Sequence, residues 1–204
     1  NHRKEYIIIS VVPDKLTVLR KYENFVDGLC RQVYEPNDDN EYWGLILKPG
    51  VLNSASEEIS QEILFDDIQN RIIDEIRQAK FLIWIAMAWF TNKKIFDELL
   101  KKRNDGLDVK IIIDNNMINK DKPSFVLEDY FEVYRVDVMS EKYKNIMHRK
   151  FCVIDLEVAM HGTFNWTTAA NYNKEHWDVD HNRQTAKSFA EEFIKMRRDA
   201  NCRY

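Results

Sequence analysis

The chain has 204 residues, of which 45% are hydrophobic and 31% are charged, and its formal net charge is −4. This length suits one domain with a substantial core and a modest extension, and the composition is ordinary for a soluble globular protein. The charge excludes a globally basic nucleic-acid-binding protein, so any basic surface has to be local.

The first 57 residues are predicted to form an N-terminal extension. Strands are expected at residues 6–12 and 42–47, with a helix at 14–33 between them and a loop at 35–40. No motif marks this segment, so its role stays open. A structural role, docking of a larger protein partner and a connection to a fused domain are all compatible with it.

Helix and strand patterns alternate from residue 58 onward. Apolar residues recur at helical spacing in 58–80, 92–103 and 183–198, and a short helix is expected after residue 166. Strands are predicted at 81–90, 109–113, 131–138, 150–154, 158–161 and 176–179. This alternation predicts one α/β domain over residues 58–204, a mixed β-sheet flanked by helices on both faces.

The cysteines and the longest apolar run bear on location. Cys30, Cys152 and Cys202 are far apart and include no C-x-x-C pair, so neither a zinc site nor a disulfide framework is indicated. We therefore expect a reducing, cytoplasmic setting. The apolar run at 81–90 is too short to span a bilayer, and no signal-peptide pattern opens the chain.

The most informative pattern is H-x-K-x4-D-x6-G-T-x-N, which runs from His148 to Asn165. Residues i and i+2 of a strand share a face, so His148 and Lys150 should project together while Arg149 points the other way. Thr163 and Asn165 should share a second face. An imidazole, an ammonium, a hydroxyl and a carboxamide together suit phosphate, and no carboxylate cluster for Mg²⁺ accompanies them. The pattern predicts phosphoryl chemistry without a metal or cofactor.

The stretch from Met147 to Thr167, MHRKFCVIDLEVAMHGTFNWT, resembles the signature of the phospholipase D superfamily. The resemblance covers roughly residues 58–200 and is strongest to the small nucleases and Zucchini-type endonucleases of that superfamily. It implies that His148 is a nucleophile that forms a phosphohistidine. It also implies that Lys150 and Asn165 bind the phosphate.

Other residues of the pattern receive roles in the same way. Thr163 replaces the usual serine of the family and keeps its hydroxyl. Asp155 matches the motif aspartate and is expected to orient or support the histidine, although a turn role alone would also explain it. Glu175 matches a glutamate that holds the histidine ring, in a sequence N-x-E-H where the family more often reads N-x-E-N. Gly162 should permit close approach of the backbone to a ligand.

Basic and aromatic residues around the motif could contact a nucleic acid. Lys142 and Lys144 precede the motif, and no acidic residue intervenes before Lys150. They predict either a rim that grips a phosphodiester backbone or a solvated basic loop. Trp166 could stack a base, or it could pack in the core.

Only one copy of the full pattern is present, whereas the family mechanism uses two histidines. A symmetric homodimer would supply the second one. The leading interpretation is a metal-independent nuclease acting on DNA or RNA. The alternatives are a phospholipid hydrolase of the cardiolipin type and a non-catalytic nucleic-acid-binding scaffold, and the intact pattern argues against the scaffold.

Overall fold

The computed structural model describes residues 3–36, 39–50, 59–121, 123–137 and 145–201. The chain divides into two compact units, Asn1–Glu57 and Glu58–Tyr204. Among the helices of the described ranges, none combines the length and the apolar character that a membrane crossing requires.

The first unit has the order strand, helix, helix, strand. Its elements are β1 (Arg3–Val11), α1 (Pro13–Arg20), α2 (Glu23–Val33) and β2 (Asn40–Pro49). The two strands pair in parallel. The single helix predicted at 14–33 is wrong, because the chain turns at residues 21 and 22, whose N–H groups donate to the carbonyls of Val18 and Leu19, three residues earlier. Such bonds tighten and end a helix.

The second unit is built on a seven-stranded sheet. Its elements are β3 (Ser60–Leu64), α3 (Ile68–Gln78), β4 (Leu82–Met87), α4 (Lys93–Asn104), β5 (Asp108–Asp114), α5 (Met117–Asp121), β6 (Glu132–Val136), β7 (Lys150–Ile154), β8 (Val158–Gly162), β9 (Trp177–His181) and α6 (Arg183–Asn201). The strand order is β3-β9-β8-β7-β4-β5-β6. Strands β4, β5 and β6 are parallel, and the remaining pairs are antiparallel.

Helices cover both faces of this sheet, which confirms the predicted α/β class. On one face, Ile72 of α3 and Leu99 of α4 are fully buried in a cluster with Ile85 of β4. On the other face, Phe193 of α6 is buried and stacks on Trp84, with ring centroids 5.2 Å apart. Each fully buried side chain of this size contributes about 2 kcal/mol of hydrophobic stabilisation.

The predicted helix over 58–80 is wrong in its first third. Residues Ser60–Leu64 form the edge strand β3, which pairs antiparallel with β9, and the helix begins only at Ile68. Ile59 and Ile63, which fitted the helical spacing, are 64% and 55% exposed. Pairing with β9 therefore outweighs the local pattern, as tertiary contacts commonly do.

Candidate active site

One edge of the sheet collects the ends of five strands. The carboxyl ends of β4, β5 and β8 meet the amino ends of β7 and β9 there, because Met87 pairs with Lys150 and Gly162 pairs with Trp177. Beyond the strands, Phe90 and Trp166 form a further parallel bridge. The H-x-K and G-T-x-N segments therefore lie side by side although they are separated in sequence.

His148 and Lys150 lie together at this edge. Strand β7 begins at Lys150, so His148 occupies the extended segment before it. The Lys150 Nζ donates to the backbone carbonyl of His148 at 2.9 Å, and Lys150 is only 8% exposed. Arg149 lies on the opposite face, where its Nη2 pairs with Glu192 Oε1 at 2.9 Å. His148 is exposed.

The electrostatic surroundings favour a neutral imidazole. Partial loss of hydration lowers the pKa of His148 below its ordinary value, the Lys150 ammonium lowers it further, and the Asp114 carboxylate opposes both. Burial also lowers the pKa of Lys150, against the raising influence of Glu175. A neutral imidazole is the form that can act as a nucleophile.

Asn165 presents a polar group that lacks a protein partner. The residue is 9% exposed, and its Oδ1 has no hydrogen-bond partner among the residues that the structure describes. Burying such a group without a partner costs about 1–3 kcal/mol. Rotation of the carboxamide exchanges its oxygen and nitrogen, so the same position can offer N–H donors to a phosphate oxygen.

Two residues near His148 were not predicted as site residues. The ring of Trp89, two residues beyond β4, contacts the imidazole edge-on with centroids 6.1 Å apart. Asp114, the last residue of β5, accepts the N–H of Met147 at 2.7 Å. The available signal was their place at the ends of two buried parallel strands, which is where α/β sheets bind ligands.

The expected role of Asp155 beside the histidine is wrong. Asp155 follows β7 at the end of the strand opposite to His148, about 23 Å along the chain at about 3.3 Å per residue. Its carboxylate accepts the backbone N–H groups of Lys80, Phe81 and Leu82 at 2.8, 2.8 and 3.0 Å. Its φ of 55° lies in the left-handed region, which aspartate tolerates better than most residues. Asp155 therefore fastens the start of β4 to the β7–β8 turn.

The carboxylate of Glu175 acts on a different residue from the one expected. Asn173 donates to Glu175 Oε1 at 3.1 Å, and the charge of Glu175 acts on Lys150. No contact with the ring of His148 is found among the described residues, so the predicted role in holding that ring is not supported within one chain. Thr163 is exposed, and its hydroxyl oxygen accepts the N–H of His176 at 3.1 Å.

The binding role predicted for Gly162 is corrected, and of the two roles considered for Trp166 the structure supports packing in the core. A Cβ on Gly162 would lie 2.4 Å from the backbone oxygen of His176, so the close approach is made by strand β9 and not by a ligand. Trp166 is fully buried, with its ring 5.2 Å from that of Phe90, and cannot stack a base. Lys142 and Lys144 lie outside the described residues.

Comparisons with known proteins identify a family and a fold for this chain. A family model described as the PLD-like domain of cardiolipin synthase matches residues 72–197. The mitochondrial cardiolipin hydrolase of Chlamydomonas reinhardtii is 30% identical over 128 residues, which cover 62% of this chain and 56% of that protein. A phospholipase D of Rickettsia felis is 21% identical over 188 residues, which cover 85% of this chain and 92% of that protein.

Two solved structures share the fold. NucT from Helicobacter pylori has a TM-score of 0.62 and 22% sequence identity, and covers 68% of this chain and 96% of its own. Nuc from Salmonella typhimurium has a TM-score of 0.58 and 24% identity, and covers 68% of this chain and 94% of its own. The chain thus spans nearly all of these structures but just over half of the cardiolipin hydrolase that it matches.

Proposed function

The chain belongs to the phospholipase D superfamily, and on that premise we propose that it is a metal-independent nuclease that cleaves phosphodiester bonds through a phosphohistidine. The observation that carries the proposal is the convergence of His148, Lys150 and Asn165 at one edge of the sheet. A nucleophile, a cation and a buried carboxamide whose oxygen has no partner in the described part of the chain together suit a phosphoryl group.

In the first step the neutral imidazole of His148 attacks phosphorus, and the bond from phosphorus to the leaving oxygen breaks. The Lys150 ammonium stabilises the negative charge that builds on the non-bridging oxygens. The Asn165 carboxamide supplies further donors to the same oxygens. The lowered pKa of His148 keeps the nucleophile neutral to a more acidic pH than an ordinary histidine.

The leaving oxygen needs a proton, and a second histidine has to supply it. We assign this role to His148 of a second copy, related by a two-fold axis. In the second step that histidine takes a proton from water, the water oxygen attacks the phosphohistidine, and the bond from phosphorus to the first histidine breaks. The homodimer is thereby part of the active site.

A nucleic acid is the proposed substrate because His148 is exposed, and Lys142 and Lys144 precede it in sequence without an acidic residue between them. A phospholipid is the second candidate. It is favoured by the 30% identical relative named as a cardiolipin hydrolase, and by exposed apolar side chains at or next to this edge, Phe65, Ile146 and Tyr172.

The test is an activity screen in EDTA that compares single-stranded and duplex DNA and RNA with cardiolipin vesicles. We expect cleavage of at least one nucleic acid, and a fall of about 10⁴-fold in His148→Ala. His161→Gln is the matched control, because its ring stacks on Phe189 of α6, away from the site. Cleavage of cardiolipin alone would favour the second candidate, and a strict need for Mg²⁺ would contradict the mechanism.

A further inference from the structure

The structure assigns to Asp114 the positioning of His148 and the stabilisation of the positive charge that its imidazole acquires, a role that rests on the nuclease chemistry proposed above. Asp114 is a positioning residue, since it accepts a hydrogen bond from Met147, the residue directly before the nucleophile His148. Asp114 lies outside the H-x-K pattern, on the separate strand β5, and the family resemblance given above assigns it no role.

Asp114 is a fixed and buried point at the carboxyl end of β5. The residue is 4% exposed. One carboxylate oxygen accepts the N–H of Met147 at 2.7 Å, and the other accepts the side-chain amide of Asn116. The backbone carbonyl of Asp114 accepts from the Asn119 carboxamide at 2.8 Å, and the same carboxamide donates to Ala88 and accepts from Phe90. The ends of β4 and β5 are therefore tied together around this carboxylate.

The hydrogen bond to Met147 determines where His148 lies. Met147 is 4% exposed and belongs to the face covered by α6, so the segment before β7 is fixed by packing as well as by the N–H of Met147. His148 follows directly, and its ring meets the edge of Trp89. A displacement of about 1 Å in such a segment can lower a rate about 10²-fold, because the reacting atoms lose their alignment.

The Asp114 carboxylate has neutral hydrogen-bond donors, the side-chain amide of Asn116 and the backbone N–H of Met147. Within the described part of the chain, neither a lysine nor an arginine forms an ion pair with it. A buried carboxylate without a cation is costly unless something compensates it. The imidazole of His148 can become that cation, because attack on phosphorus places a positive charge on the ring.

Several charged groups face His148, and their effects differ in sign. Lys150 of β7 lowers the pKa of the imidazole, and Asp114 of β5 raises it. On the side of α6, a cavity of about 290 Å³ is shared with His148 and contains the ion pair of Arg149 with Glu192. Lys195 and Asp199 also line this cavity. In the proposed dimer the second copy's His148 joins them. The charge of Asp114 raises the pKa of the His148 imidazole, whereas the charge of Glu175 raises the pKa of Lys150.

The experiment is a histidine titration by NMR on the purified full chain without substrate, with the His148 resonance assigned from its loss in His148→Ala. Asp114→Asn keeps an acceptor for Met147 and removes the charge, so the imidazole pKa should fall below the wild-type value. Lys150→Gln is the control of opposite sign and should raise it. In kinetics, Asp114→Asn should lower kcat about tenfold with little change in KM, and should move the acidic limb of the pH profile to lower pH.

A second measurement needs no variant. The carboxylate ¹³C resonance of Asp114 in the wild-type chain should shift at the pH at which His148 titrates, because the two groups are electrostatically coupled. An unchanged pKa of His148 in Asp114→Asn, or no such shift of the carboxylate, would overturn the assignment whatever the activity. A wild-type chain that titrates as expected but cleaves no phosphodiester would overturn the proposed function alone.

Discussion

The two ends of strand β7 carry residues from one sequence pattern and use them for different purposes. At the amino end, His148 is exposed and Lys150 is buried beside it, and both have pKa values lowered from the ordinary range. At the carboxyl end, Asp155 accepts the backbone N–H groups of Lys80, Phe81 and Leu82. The contiguity of the pattern therefore reflects the length of one strand and not the size of one active site.

The two ends differ in their effect on stability. The group at the carboxyl end stabilises the fold, whereas the buried polar groups at the amino end cost stability. The hydrogen bonds of Asp155 are all satisfied within the protein, which is typical of a structural residue. Lys150 and Asn165 are nearly as buried as core residues, yet Lys150 carries a charge and the oxygen of Asn165 has no partner among the described residues. Such groups cost stability in the absence of a ligand, and we expect variants at the two ends to respond in opposite ways.

Among the variants that separate the two ends of β7, the largest effect should come from Lys150→Met, which keeps the shape of the side chain and removes the ammonium. We expect kcat/KM to fall about 10³-fold, because the charge on the phosphoryl oxygens loses its main counter-charge. The melting temperature should stay the same or rise, since a buried cation is replaced by an apolar group. Activity assays would measure kcat/KM and calorimetry the melting temperature on one preparation. A large loss of stability would contradict the proposal that Lys150 serves the site and not the fold.

A smaller effect of the opposite kind is expected for Asp155→Ala. The free energy of unfolding should fall by about 3 kcal/mol, because three backbone N–H groups lose a charged acceptor and alanine disfavours the left-handed φ. The folded fraction should cleave substrate at the wild-type rate. Urea denaturation would measure the free energy of unfolding, and kinetics normalised to the concentration of active sites would measure the cleavage rate. For Asp155→Asn, which retains one acceptor oxygen, the free energy of unfolding should lie between those of the wild type and Asp155→Ala.

The smallest effect on stability is expected for Asn165→Ala. Removal of a buried oxygen without a partner should raise the free energy of unfolding by up to about 1 kcal/mol, offset in part by a small cavity. The KM should rise about tenfold, or the affinity for inorganic phosphate should fall about tenfold. If stability fell by several kcal/mol, the carboxamide would be a structural group like Asp155, and the contrast between the two ends would be lost.

Much of this architecture is predictable from local patterns. The buried strands β4 and β5 and the helix α6 follow from apolar runs and helical spacing, and the H-x-K and G-T-x-N segments identify the edge that carries the site. The edge strand β3 was mistaken for a helix because its pairing with β9 is a long-range contact that no local window contains.

The errors within the pattern have a common physical cause. Spacing along the chain does not indicate which neighbour fills the space beside a residue. It could not show that strand β9 occupies the position beside Gly162, that Trp166 faces the core, or that Asp155 bonds to the start of β4. For the same reason Asp114 was missed, since only the parallel pairing of β4 and β5 and the reversal at β7 bring it to Met147.

The most direct test of the account is to map the covalent intermediate. The protein would be mixed with a nucleic-acid substrate in EDTA and quenched in base, which preserves phosphohistidine, and the adduct would be located by peptide mass spectrometry. We predict an acid-labile adduct on His148 in the wild type and in Asp155→Ala, in which the imidazole nitrogen is bonded to the phosphorus of one fragment of the nucleic acid, and none in His148→Ala. Turnover without any adduct on His148, or an adduct on a different residue, would contradict the account.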